Sequence, residues 1–201
     1  MQSGLRHPTK NEQKYQSIAK RLQSRRRVQS EACQKMTETK THIDPKLTAI
    51  LQSVSDPEIP VLSIMDMGVV RSAEMQDGIA QVIITPTYSG CPAMDVIGDD
   101  IKKAFSEKGI PVQVELVLSP AWTTDWITPA GRQALEKYGI AAPLEAEADK
   151  EALLGDKKLV KCPQCGSMNT KMISQFGSTA CKAFFQCQDC KEPFDYFKCL
   201  K

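Results

Sequence analysis

Two Cys-x-x-Cys pairs stand near the C-terminal end, Cys162-Pro163-Gln164-Cys165 and Cys187-Gln188-Asp189-Cys190, with 21 residues between them. Each pair can present two thiolates from one side of a tight turn. Two such turns face to face supply the four-sulfur tetrahedron that zinc prefers. The separation lies at the edge of the usual zinc spacings. Cys162, Cys165, Cys187 and Cys190 are therefore expected to bind one metal ion, with zinc in a closed, structural role. Thiolate spacing by itself does not separate zinc from iron. The surrounding forty residues hold too little apolar material for a free-standing core, so a metal is expected to hold them. Cys181 lies between the pairs and is open to three readings: a free thiol near the site, a replacement ligand, or packing. Cys199 is expected to be incidental.

Cys91 is the other cysteine with chemical potential. It precedes Pro92 at the start of an expected helix, where free backbone amides and the positive end of the helix dipole favour a thiolate. A thiolate binds iron or attacks a disulfide. An unpaired cysteine is equally at home as a small buried apolar residue, and position alone leaves both readings open.

Several chemistries are excluded by what is missing. The two histidines, His7 and His42, precede the expected folded region. No Glu-x-x-His pair is available for a di-iron oxygenase site, and no Cys–His or Ser–His relay can form in the core. Neither the dinucleotide fingerprint nor the P-loop occurs. An enzyme of hydride or phosphoryl transfer is therefore not expected.

The elements that must position these residues follow from local patterns. Asp44-Pro45 can cap and open a helix whose apolar face is Ile43, Leu47, Ile50, Leu51 and Val54. Val69 to Met75 and Ile79 to Thr85 read as strands joined at Asp77-Gly78, a strong hairpin signal. A helix from Cys91-Pro92 buries Met94, Ile97, Ile101, Ala104 and Phe105, and Gly109 stops it. Val112, Val114, Leu116 and Leu118 alternate with polar residues, as in a strand with one buried face. A short turn spans Trp122 to Trp126; the two tryptophans could dock a partner or cover the sheet. Thr128-Pro129 opens a last helix with Ala134, Leu135 and Tyr138 inward. Strands are expected at 171–176, 183–186 and 194–198, with Phe184, Phe185, Phe194, Tyr196 and Phe197 packing them.

The expected fold is α+β: a small three-stranded sheet with helices packed on it, then a small all-β ribbon. The divisions are a basic extension (1–42), the α+β domain (43–140), a linker (141–158) rich in Ala, Glu, Asp and Lys, and the ribbon (159–201). Residues 1–35 carry a net charge of +7 and the remainder −5, within a total of +2. The basic stretch lacks apolar periodicity and is expected to be disordered. It could bind RNA or an acidic partner, or it could be an upstream extension ahead of a start at Met36. No signal peptide or transmembrane-length apolar run is evident, so a reducing cytoplasm is expected, where paired cysteines read as metal ligands.

The ordered motifs Asp56-Pro57-Glu58-Ile59-Pro60, Ile64-Met65-Asp66-Met67-Gly68-Val69-Val70, Thr85 and Gly90-Cys91-Pro92 resemble the SufT-like metal–sulfur cluster assembly factors. That resemblance implies an α+β fold and a role in delivering iron–sulfur clusters. It places Cys91 at the family's key cysteine, a transient ligand for iron or a cluster. Asp56, Glu58 and Asp66 match its acidic positions, which could equally cap turns. The wider arrangement adds Trp122, Asp125-Trp126-Ile127-Thr128, Gly131-Arg132, Tyr138-Gly139-Ile140-Ala141 and the ribbon segment from Phe176 to Lys182. Over 43–198 it resembles the PaaD family, accessory proteins of the bacterial phenylacetyl-CoA epoxidase system. The likeness implies a place in aerobic phenylacetate catabolism and help in maturing the metal centres of the reductase or oxygenase component. One thiol cannot hold a cluster durably, so a partner or a second copy of the chain is implied. A structural subunit of the epoxidase complex and a zinc-ribbon nucleic-acid binder are the rival readings. The acidic charge of the folded part, and a ribbon without an interleaved basic stripe, weigh against the last.

Overall fold

A computed structural model of the chain describes residues 42–144 and 160–198. The basic extension with His7, most of the expected linker, and Cys199 lie outside the described residues.

Asp44 caps α1 (Pro45–Gln52) by accepting from the Lys46 amide at 2.9 Å, and Pro45 occupies the first helical position. The buried face is Leu47, Ile50 and Leu51, as the helical period requires. β1 (Val70–Gln76) and β2 (Ile79–Ile84) form an antiparallel hairpin. Asp77 and Gly78 both take positive φ in its turn, at 50° and 81°, the geometry that favours Asp-Gly there. α2 (Ala93–Ser106) crosses over to β3 (Val112–Leu116), which pairs in parallel with β2. The sheet order is β1-β2-β3. A 3₁₀ turn at Thr124–Trp126 follows, then α3 (Pro129–Tyr138), where the Thr128 hydroxyl accepts from the Gly131 amide at 3.0 Å.

The ribbon is a second antiparallel sheet, β4 (Thr170–Ser174), β5 (Lys182–Cys187) and β6 (Pro193–Phe197), in that order. Its own small core holds Val160, Cys162, Ala183, Phe185, Cys187, Phe194 and Tyr196. Phe185 stacks on Phe194 at 5.9 Å between ring centroids.

The two sheets share a boundary rather than a loose tether. Ala141 bridges to Tyr196 in parallel, donating to Asp195 O at 2.8 Å and accepting from Phe197 N at 3.1 Å. Residues 141–144 thus depart from the expected linker: they lie along β6, and Ala141 is buried because its backbone is satisfied there. Phe197 and Cys181 leave the ribbon core and join the core of the first domain. Phe197 meets Trp122 edge to face at 6.0 Å.

Four expected burials fail. Leu116 and Leu118 are exposed. α2 carries Gly98 over that end of the sheet, and a shallow groove between Met94, Gly98 and Lys102 leaves Leu116 uncovered. Tyr138 is 55 % exposed, because α3 ends there and Ile140 and Ala141 take over burial. Phe184 faces outward, since β5 alternates and its inward side is already given to Ala183, Phe185 and Cys187.

Candidate functional site

The ribbon thiols come together as their spacing predicts. Among the described residues, the sulfurs of Cys162, Cys165, Cys187 and Cys190 lie within 4.8 Å of one another. Cys162 Sγ is 3.8 Å from Cys190 Sγ, and Cys165 Sγ is 3.5 Å from Cys187 Sγ. A tetrahedron built on zinc–sulfur bonds of about 2.3 Å has edges of about 3.8 Å, so the donor set fits one tetrahedral metal ion. The knuckles are fixed by backbone bonds, Gly166 N to Cys162 O at 2.9 Å and Cys187 N to Glu192 O at 3.0 Å. Asp189 ties the second knuckle to the first by accepting from Asn169 Nδ2 at 2.7 Å and from the Ser167 hydroxyl. Cys162 and Cys187 are buried while Cys165 and Cys190 are exposed. A metal here has four thiolates and no open position, which suits holding structure rather than chemistry.

Cys91 sits just before α2 and is half-buried, not sealed in the core. The helix entrance does supply the expected donor, since its sulfur accepts from the Ala93 amide, and the Tyr88 side chain hydrogen-bonds it as well. The surroundings as a whole nevertheless disfavour the free thiolate. Burial pushes the Cys91 thiol above its ordinary range, the charges of Glu58 and Asp56 push the same way, and the two hydrogen bonds do not overcome them. Tyr88 is itself pushed up to about 12, first by burial and then by the neighbouring Cys91. Its hydroxyl therefore stays protonated and able to donate to the sulfur.

The acidic positions divide. Asp56 is buried and caps its own turn: Oδ1 accepts from Glu58 N at 2.8 Å and Ile59 N at 2.9 Å. Burial raises its pKa although both amides pull it down. Asp66 is a structural hub. It accepts from Ser63 Oγ at 2.7 Å, Gln52 Nε2 at 2.5 Å and Thr128 Oγ1 at 2.7 Å. Burial pushes its carboxyl up, but these donors together hold it below the usual range. α3 presses against this hub at Gly131, where a Cβ would come within 2.9 Å of Asp66 O. Glu58 alone keeps a carboxylate turned toward sulfur, with Oε2 3.4 Å from Cys181 Sγ.

Cys181 is not part of the metal quartet. It is buried at the boundary between ribbon and first domain, with Thr179 Oγ1 at 3.0 Å. Burial first, and the Glu58 charge after it, push its thiol up to about 12. Lys182 beside it is also buried and donates to Glu58 O at 3.4 Å and Ser178 Oγ at 3.3 Å. No local sequence signal marks the Glu58–Cys181 meeting; the two are 123 residues apart. Trp122 is a core residue, 2 % exposed, whose indole donates to Met67 O at 3.0 Å. Trp126 is partly buried with the Arg71 guanidinium 3.6 Å above its ring. No helix among the described residues is long and apolar enough to cross a membrane.

Residues 45–116 match the iron–sulfur cluster assembly protein family, and residues 146–198 match the PaaD zinc beta ribbon domain. An Escherichia coli K12 protein, named provisionally as a subunit of 1,2-phenylacetyl-CoA epoxidase, is 51 % identical over 157 residues, covering 77 % of this chain and 92 % of its own length. An Fe–S protein maturation auxiliary factor of Porphyromonas gingivalis is 35 % identical over 85 residues, 41 % of this chain and 80 % of that one. The Fe–S protein maturation auxiliary factor YitW of Bacillus subtilis is 34 % identical over 90 residues, 42 % of this chain and 85 % of that one.

Proposed function

The chain belongs to the PaaD family, and from that premise we propose that it is an accessory protein that delivers iron or an iron–sulfur cluster to a component of a phenylacetyl-CoA epoxidase. One observation carries this reading. Within the stretch that resembles iron–sulfur assembly proteins, a half-exposed thiol stands at the entrance of α2 between a protonated hydroxyl and a backbone amide.

The chemistry follows from that setting. Iron is the cargo. The Cys91 thiol releases its proton to water as the sulfur binds iron. The Ala93 amide and Tyr88 hydroxyl then donate to the bound sulfur and temper its charge. Because burial disfavours the free thiolate, protons compete with iron for the sulfur at neutral pH, and the grip is weaker than an activated cysteine would give. A client with a fuller thiolate or carboxylate set then draws the iron away. The client is the reductase or oxygenase component, in the cytoplasm. The ribbon metal, with zinc as the preferred occupant, supplies rigidity and takes no part in transfer.

The test is metal loading of the epoxidase components produced beside the wild-type chain or its Cys91→Ser variant. The variant should fold normally while client iron falls by at least about tenfold, the scale on which even outer-shell changes weaken metal sites. Equal client iron with both chains would refute the delivery role.

A second reading is supported by the Escherichia coli relative, which is named as part of the epoxidase itself: a structural component that holds the complex together. Stoichiometric co-purification with active epoxidase favours it. Absent or sub-stoichiometric association favours the maturation factor.

A further inference from the structure

We propose that Cys181 of the ribbon and Glu58 of the first domain complete the Cys91 site, so that one chain grips its iron cargo with two thiolates and one carboxylate drawn from both domains. This rests on the reading of Cys91 as the cargo ligand. It removes the need for a second copy to supply the second sulfur.

Several observations converge on it. Cys181 leaves the ribbon's own core, takes no place in its metal quartet, and joins the core cluster against which Cys91 packs. Its sulfur is 3.4 Å from Glu58 Oε2, and the Glu58 charge also acts on Cys91. Tyr88 bonds Cys91 and lies within the fields of Cys181 and Glu58 as well. Two thiols, Tyr88 and Glu58 thus surround one locality. The charge balance there is uneven. Among the described residues, the carboxyl groups of Asp56 and Glu58 face the amine of Lys182, which acts on both Asp56 and Cys181. An excess of acidic groups around soft sulfur invites a thiophilic cation. The ligand atoms of the three residues do not converge within 4.8 Å as the ribbon quartet does. That looseness suits a cargo that enters and leaves, and gripping it requires the three side chains to close on it.

The step balances without redox. Each thiol gives one proton to water as its sulfur binds iron, the Glu58 carboxylate binds as it stands, and no electron moves. The cargo can be a bare ferrous ion or a small iron–sulfur cluster, since thiolates hold both.

The experiment uses the full chain with its ribbon filled by zinc, under anaerobic conditions. One arm receives ferrous iron alone; the other receives ferrous iron with sulfide. Iron, acid-labile sulfide and retained zinc are counted per chain for wild type, Cys91→Ser, Cys181→Ser and Glu58→Gln. The wild type should gain one iron site per chain, and each variant should bind at least about tenfold more weakly with zinc unchanged. Labile sulfide matching the iron identifies a cluster; equal iron uptake without sulfide identifies the bare ion. Uptake lost with Cys91→Ser but untouched by Cys181→Ser and Glu58→Gln overturns the composite site and spares the Cys91 reading. Uptake indifferent to Cys91→Ser, or no uptake by wild type, overturns both. One site per two chains overturns the proposal as well. If Cys181→Ser sheds its zinc, Glu58→Gln decides, because Glu58 is half-buried in the first domain and takes no place in the ribbon's metal quartet.

Discussion

The four ribbon sulfurs lie within 4.8 Å of one another, whereas Cys91 has a tyrosine hydroxyl, a backbone amide and two carboxylates for neighbours. The ribbon closes on its metal with every position taken. The Cys91 region is half-open and its ligand atoms stay apart. Under the proposed delivery role, sulfur would serve two ends through this difference in convergence. Converged thiolates hold a metal for the life of the fold. On the proposed reading, a dispersed set whose protonation is favoured by burial would release what it binds. The boundary residues Cys181 and Phe197 belong to the ribbon in sequence and to the first domain's core in packing.

The largest test of this contrast removes one permanent ligand. Cys162→Ser should abolish ribbon metal binding. Structural zinc is worth about 10–16 kcal/mol in small zinc-dependent peptides, comparable to a whole domain's stability of about 5–15 kcal/mol. Residues 160–198 should therefore unfold, seen as lost zinc and lost near-ultraviolet dichroism from Phe185, Phe194 and Tyr196. Cys91→Ser should keep its zinc and its stability within about 1 kcal/mol, since it is half-exposed and Ser is a near isostere. Retained zinc in Cys162→Ser would erase the contrast.

Next in size is the seam. Phe197 is 1 % exposed and meets Trp122 at 6.0 Å. Phe197→Ala should cost about 3–5 kcal/mol and split one melting transition into two, with the first domain and the zinc-held ribbon unfolding separately. A single, unshifted transition would mean that the two regions are already independent.

The sequence made some of this contrast legible and hid the rest for physical reasons. Asp44-Pro45, Asp77-Gly78 and Thr128-Pro129 carry their structure in local chemistry, so the helix starts and the hairpin emerged where expected. The zinc knuckles are equally local. Cys181 left three readings open because its partner Glu58 is 123 residues away, and no short pattern records a meeting across domains. Leu116 followed the strand period but lost its cover to Gly98 on another element. At Cys91 the helix-start argument counts the amide but omits burial first, and then the Glu58 and Asp56 charges, which push the thiol up. Local signals thus pointed to the candidate residues, while the tertiary fold set the surroundings in which each one sits.

The smallest effect probes that last point. Alkylation requires the thiolate, and burial with the Glu58 and Asp56 charges raises the Cys91 pKa. In the zinc-loaded chain, the alkylation of Cys91 should therefore rise with pH to a midpoint above the ordinary thiol value of about 8.5. Below that midpoint the group is a neutral thiol, so neutral pH is the unreactive side. Glu58→Gln removes one negative charge and should lower the midpoint, speeding labelling at neutral pH by about two- to fivefold, a fraction of the tenfold that one pKa unit represents. Mass-spectrometric counting of the modified Cys91 peptide follows both profiles. A wild-type midpoint at or below that of a free thiol would mean that the amide and hydroxyl win after all. Cys91 would then be a standing thiolate, and the distinction between a site that keeps metal and one that passes it on would have to rest on convergence alone.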